Sequence, residues 1–307
     1  VGGFQDLSQP LNAIPPDRHV LRVRIKEDEL PACVLEDPVE RAEFALDRPV
    51  AVQYLFWLRN ILSGNFGRSI AYRIPVIDLL LPRLFNTVAL SLTALLIGWL
   101  VAVPCGVLAA RFQGRALDRL LGIASFTGLA VPEFMLAFLA IWLAATTGAF
   151  PVGGAGGADL RGWAAVGDYW RHLLPPAIVL SICSVASLQR LMRSNVLEEL
   201  GKDYVRTARA KGLARRSVLW RHAVPNALNP MITIFGMELS ALASGAALVE
   251  NVMAWPGLGK LLLEATLSQD IHVVLASLLF GTLLLVGGNL VADIMLGLLD
   301  PRIRRAG

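Results

Sequence analysis

Charge is scarce in this chain: 17% of its 307 residues are Asp, Glu, Lys or Arg, against about 25% in a typical soluble domain. Cysteine is nearly absent. Cys33, Cys105 and Cys183 lie far apart and form no CxxC pair, which excludes a disulfide framework and a zinc site of thiolates. The four histidines, His19, His172, His222 and His272, are scattered and make no metal pair. No GxxxxGK[ST] is present, so no P-loop binds ATP here, and no catalytic constellation is visible. The Gly153–Gly157 run neither follows a strand nor opens a clear helix, and reads as a loop.

Apolar residues are abundant instead, at 55%, with a mean hydropathy of +0.58. A membrane span takes about 20 mostly apolar residues. Five segments reach or approach that length: 87–110, 120–150, 173–189, 223–249 and 273–292. The third is short and carries Pro175 and Pro176 near its start. Five such runs point to an all-α polytopic membrane bundle.

Lys and Arg set the orientation. Three arginines follow the first span, nine Lys or Arg fill the stretch 190–222, and three arginines close the chain. The two opposite loops hold only Arg161, Arg171 and Lys260. The arginine-rich loops and the C-terminus are therefore expected in the cytoplasm, with 148–172 and 250–272 outside. Net charge of +4 then reflects these loops rather than nucleic-acid binding. Residues 1–86 would also lie outside, yet no signal peptide or apolar helix precedes Thr87. A further span upstream, or a different native start, is expected. Within 20–26, apolar and charged residues alternate, which suggests a short strand.

The most informative stretch runs from Asp203 to Pro225. Leu197, Leu200, Tyr204 and Ala208 fall on one helical stripe, with Arg206 and Arg209 on the other side. Gly212 suits a helix end, where a positive φ is often needed, and Pro225 suits the first turn of the next helix. Such a helix fits a partner's groove or the lipid headgroups, and periodicity alone does not choose. Pro256-Gly257 suits a tight turn with Gly257 at positive φ. Three acids, Glu133, Glu238 and Asp293, lie in or near spans, where a charge must face a cavity or a partner. Glu238, near the middle of its span, is a candidate for a translocation path or for a hydrogen bond to a second subunit. Gly287-Gly288-Asn289 fits close helix packing, and Asn289 is the second path candidate.

The loop resembles that of binding-protein-dependent ABC importer permeases, whose pattern is Glu-Ala-Ala, three residues, Gly, nine residues, Ile-x-Leu-Pro. Gly212 stands thirteen before Pro225, as in that pattern, with Arg206-Thr207-Ala208 at the Glu-Ala-Ala position. The run from Asp203 to Gly212 is similar to the dipeptide/oligopeptide/nickel branch. So are Leu46–Val50, Gly64–Ser69 (with Asn65 for the usual Asp), Arg83–Thr87, Pro132-x-Phe134, Glu250, Trp255–Gly259, Asp270 and Leu299–Arg304.

The resemblance implies a type I ABC importer transmembrane domain with five of six spans visible. It divides the chain into an atypical segment 1–45, an extracytoplasmic segment 46–86, a permease domain 87–300 with a coupling loop 190–222, and a tail 301–307. ATPase coupling would fall to Asp203, Tyr204, Arg206, Thr207, Ala208, Ala210, Lys211, Gly212 and Pro225. Glu250, Pro256, Gly257, Gly259 and Asp270 would lie in the loop facing a substrate-binding protein. Implied partners are a second homologous permease subunit, two ABC ATPase subunits that carry ATP and Mg, the extracytoplasmic binding protein and the bilayer of a bacterial inner membrane. No cofactor is expected on this chain. Peptide is the expected cargo, with nickel chelates, glutathione-like thiols and sugars also handled by the branch. A secondary transporter would need intramembrane ion-coupling groups and inverted repeats, neither of which is visible. A truncated, non-functional permease is the other alternative.

Overall fold

The computed structural model describes residues 49–156 and 162–299, without the side chains of 232–233, 236–237, 239–245, 292–293 and 295–299. The segment 1–45, the expected strand at 20–26, the Asp293 side chain, the Asp300-Pro301 stop and the tail 301–307 lie outside the described residues. The chain divides into two units at Ser63 and Gly64. The first contributes one described helix, α1 (Val50–Leu62), polar only at Gln53, Arg59 and Asn60.

The second unit is a helical bundle. Its elements are α2 (Val76–Arg111), α3 (Ala116–Ala130), α4 (Glu133–Thr147), α5 (Trp163–Gly201), α6 (Asp203–Ala210), α7 (Val224–Val252), α8 (Leu258–Leu267) and α9 (Ile271–Leu299). Among the described residues, α2, α5 and α9 are each long and apolar enough to cross a membrane, and α3 with α4 makes a fourth candidate if counted as one broken span. The fourth apolar segment, 223–249, forms α7.

Three segments differ from the sequence reading. The run 120–150 is not one straight helix: α3 and α4 meet at a bend of 101°. The break falls at Val131-Pro132, because proline has no N–H for the ladder and biases the residue before it to extended backbone, as at Val131 (φ −91°, ψ 122°). Conversely, Pro175 and Pro176 do not lie near a helix start. They lie inside α5, which runs unbroken for 39 residues. The boundary expected at residue 86 falls inside α2, whose first turns pack Val76 and Leu80 against Leu258, Leu261 and Val273.

The long helices α2 and α5 form the centre and run the same way. At one end Leu90, Leu95, Leu173, Leu180, Val249 and Trp255 share a buried cluster. At the arginine-rich end Val107, Met192, Val196, Leu219, Ala223 and Met231 share another. The two backbones approach closely at Gly106, where a Cβ would sit 2.7 Å from Met192 Cβ and 2.8 Å from the Gln189 carbonyl oxygen. Only glycine allows that approach, the usual way helices gain contact in a medium where apolar surface itself gives no drive.

Candidate functional site

At the arginine-rich end, α5 stops at Gly201, and Lys202 turns with extended backbone (φ −72°, ψ 154°) before α6. The stripe expected to run through Leu197, Leu200, Tyr204 and Ala208 is thus split between two helices. The buried face of α6 is Val205 and Ala208, which pack with Val218 and Leu200. Ala208 therefore faces the bundle and not a groove on a partner. Asp203, Tyr204, Arg206, Thr207, Ala210, Lys211 and Gly212 are exposed.

A polar knot anchors this helix. Glu199, at the end of α5, accepts from Lys202 Nζ and from the Tyr204 hydroxyl, each at 2.5 Å. The hydrogen bond to Glu199 holds the Lys202 ammonium above its ordinary pKa. Asn226, in the first turn of α7, donates to the Tyr204 oxygen (3.4 Å) and to the His222 carbonyl (2.7 Å). One tyrosine thus ties α5, α6 and the entry to α7. That entry, Val218–Ala223, is wound as a π-helix. Pro225 has no N–H for the Arg221 carbonyl four residues back, so the α-ladder cannot run regularly through this point. Glu199, Val218 and Asn226 were not singled out in the sequence; apart from the proline after the loop, no pattern marked them.

Gly212 ends α6 at φ +78°. Gly212 N–H donates to the Arg209 carbonyl (3.0 Å) and Leu213 N–H to the Ala208 carbonyl (3.3 Å). This pair of bonds is the Schellman closure, which needs a left-handed residue at the position of Gly212. Nothing lies within 4 Å of a Cβ built there, so the requirement is conformational and not steric. Replacing Gly212 by Val is expected to cost roughly 1–2 kcal/mol of local stability, since an L-residue in that region crowds its own carbonyl. Faster amide exchange across 203–213, with unchanged exchange in α5, would be the expected record. Unchanged exchange throughout would refute the cap.

At the opposite end, Glu250 closes a second knot. It is fully buried. Thr87 Oγ donates to its Oε1 (2.6 Å), and the backbone N–H groups of Gly259 (2.8 Å) and Lys260 (3.3 Å) donate to its Oε2. Leu258 N–H donates to Thr87 Oγ (2.7 Å). The first N–H groups of α8 are therefore capped from α2 and α7, since Gly257 at the N-cap carries no side chain of its own. Around them, Asn86 Nδ2 donates to the Pro256 carbonyl (2.9 Å), Trp255 Nε1 to the Asn86 carbonyl (3.2 Å), and the Tyr169 hydroxyl to Asn86 Oδ1 (3.2 Å).

Gly257 does not take the positive φ expected of it. Its φ is −100°, and the left-handed residue of the turn is Ala254 (φ 53°). Gly257 is required because a Cβ would run into the Glu250 carboxylate, and Gly259 because one would run into Ala247. Glu250 and Asp270, read in the sequence as facing an outer partner, have buried side chains. Asp270 accepts from Ser69 Oγ (2.5 Å) and from Ala71 N–H (3.2 Å) through Oδ2, and from Val273 N–H (3.3 Å) through Oδ1. It caps α9 and ties it to the Gly64–Ser69 segment. Pro256 is half-buried on the same turn. Asn86, Thr87 and Ser69 stand in stretches noted in the sequence but given no role there, and Tyr169 was missed, because their partners lie far away in sequence.

Glu238 is half-buried on α7, Asn289 is exposed on α9, and Glu133 is half-buried in the first turn of α4. Among the described residues, no group of three His, Cys, Asp or Glu side chains could hold a metal.

Residues 102–305 match the model of the family described as binding-protein-dependent transport system inner membrane component. The oligopeptide transport system permease protein AppB of Bacillus subtilis (strain 168) is 40% identical over 263 residues, which cover 85% of this chain and 83% of that protein. The dipeptide transport system permease protein DppB of Escherichia coli (strain K12) is 34% identical over 283 residues, or 86% and 84% of the two chains. A chain of the MetNI methionine ABC transporter in inward-facing conformations shares the fold, with a TM-score of 0.59 at 17% identity over 73% of this chain and 97% of its own. The apolar helices, the loop from Asp203 to Pro225 and these likenesses agree: the chain is a multi-pass membrane protein that belongs to the binding-protein-dependent transport system inner membrane components.

Proposed function

We propose that this chain is a permease subunit of an ATP-driven importer, and that its cargo is peptide. The relatives named for oligopeptide and dipeptide transport support the cargo class. The observation that carries the mechanism is α6. It is an eight-residue helix, held to the bundle by the buried Val205 and Ala208 and by the Tyr204 hydrogen bonds, with its other residues exposed at the arginine-rich end. A helix so placed fits the groove of a partner. In this reading the arginine-rich loops and the C-terminus are cytoplasmic, following the distribution of Lys and Arg. ATPase subunits grip the exposed face of α6, and their closure moves it. The polar knot of Glu199 and Tyr204 passes that motion to α5 and α7. At the other end, the turn from Met253 to Gly257 meets a loaded binding protein, and the Glu250 network keeps that turn in shape.

Affinity purification of the tagged chain in mild detergent, with mass spectrometry of its companions, tests the assembly. An ABC ATPase and a second permease are the expected companions. Uptake of a labelled dipeptide, competed by unlabelled peptides, a nickel chelate or glutathione, tests the cargo. Competition by the nickel chelate alone would replace peptide by nickel. Recovery of the chain alone after correct insertion would overturn the importer.

A further inference from the structure

Between α3 and α5, at the arginine-rich end, lies an open groove of about 750 Å³, lined by Asp118, Phe126, Leu129, Gln189, Arg190 and Arg193 among others. Nearer the middle of the bundle, a cavity of about 340 Å³ is lined by Ile97, Val101, Ile178, Ile182 and Val185, and again by Gln189. Gln189 is the link between them. Its side chain is 98% buried, since the residue is 2% exposed. One end of its amide meets Ser125, and Nε2 has no hydrogen-bond partner. A buried donor of this kind calls for an acceptor, and the residue that carries it lines both spaces.

The charges in the groove favour an anion. Arg193 forks onto the Asp118 carboxylate through Nε (2.7 Å) and Nη2 (2.9 Å), which neutralises that acid. Arg190 is exposed, and its guanidinium lies 4.6 Å from the centre of the Phe126 ring. Stacking of this kind holds the cation in place while leaving its in-plane donors available. Phe126 and Leu129 are themselves 62% and 42% exposed, so apolar surface borders the open side of the groove.

We propose that the two cavities form one binding site for an anionic glycerophospholipid. The phosphate sits at Arg190, an oxygen of the headgroup or ester accepts from Gln189 Nε2, and an acyl chain fills the inner cavity. A free phosphate would leave that apolar cavity empty. A peptide carboxylate would match Arg190, but its amide groups would find few partners along Ile97, Val101, Ile178, Ile182 and Val185.

Native mass spectrometry of the whole purified complex tests this, in micelles doped with phosphatidylglycerol or phosphatidylcholine. Retained phosphatidylglycerol, without retained phosphatidylcholine, is expected. Arg190→Gln should lower retention roughly fivefold, the factor that matches about 1 kcal/mol per basic residue at an anionic membrane surface. Gln189→Leu should lower it as well, and Arg190→Lys should recover part of it. Inorganic phosphate and a dipeptide should not displace the lipid. Equal retention of phosphatidylcholine would overturn the site, and so would wild-type retention in Arg190→Gln. Displacement by phosphate would reduce it to an anion site, and displacement by dipeptide would reassign it to cargo. Arg190 is exposed, so this variant carries the test even if Gln189→Leu fails to fold.

Discussion

Glu250→Ala will melt at a markedly lower temperature than the wild type and will accumulate poorly in the membrane. The substitution removes the acceptor of three hydrogen bonds, from Thr87 Oγ, Gly259 N–H and Lys260 N–H, in a place with no exposure. A buried donor left without a partner costs about 1–3 kcal/mol. Three of them, with the space left by the side chain, give roughly 3 kcal/mol or more, on the order of 10 °C in melting temperature. Gln in place of Glu keeps the volume and one acceptor oxygen, so Glu250→Gln should lose well under half as much. Gly257→Ala and Gly259→Ala should resemble Glu250→Ala, because each new methyl enters space that Glu250 or Ala247 occupies. Thermal melting of the purified chain in detergent ranks the four variants. Wild-type melting of Glu250→Ala would mean that this end of the bundle is held by its apolar cluster alone.

Val205→Asp will abolish peptide uptake while leaving the bundle folded. An isolated eight-residue helix is unstable in water, so α6 persists through its contacts. Those are Val205 and Ala208 on Val218 and Leu200, the Glu199–Tyr204 bond and the Gly212 closure. Fully burying a valine contributes about 1.5–3 kcal/mol, and a carboxylate in its place adds a desolvation cost that the helix avoids by leaving its seat. A loss of about 3 kcal/mol lowers the seated population roughly a hundredfold. The core clusters of α2, α5 and α7 do not include Val205, so melting should change little. Uptake and binding-protein-stimulated ATP hydrolysis should both collapse, and Val205→Ile should retain them. Ala208→Asp should behave in the same way, by unseating the helix from within and not by repelling a partner at its surface. Normal uptake in Val205→Asp would remove α6 from the coupling path.

How much of this was legible without the tertiary structure depends on the range of each interaction. The apolar runs, the arginine asymmetry and the helix end at Gly212 are local properties. Hydropathy, charge and the positive φ of one residue act within a few positions of the chain. They sufficed for an all-helical membrane bundle and for the helix end at Gly212. The prolines are local as well, yet the same residue type broke the helix at Pro132 and passed through α5 at Pro175 and Pro176. Packing of the neighbouring helices decides which, since it supplies or withholds contacts for the freed backbone groups.

The sequence by itself determined the class of the protein, the places of its five apolar segments along the chain, and the loop that carries the family likeness, while several helix ends lie two to three turns beyond those segments. Only the tertiary structure decided which side chains do the holding. Glu250 and Asp270 carry the same charged group as any surface acid, and both turned inward because Thr87 and Ser69, 163 and 201 residues away, bring hydroxyls to meet them. Gly257 serves by having no side chain beside Glu250, not by its φ. Ala208 faces inward because the chain turns at Lys202 and starts a new helix with a new phase. Each of these outcomes rests on a contact between distant segments, and such contacts exist only once the helices have packed.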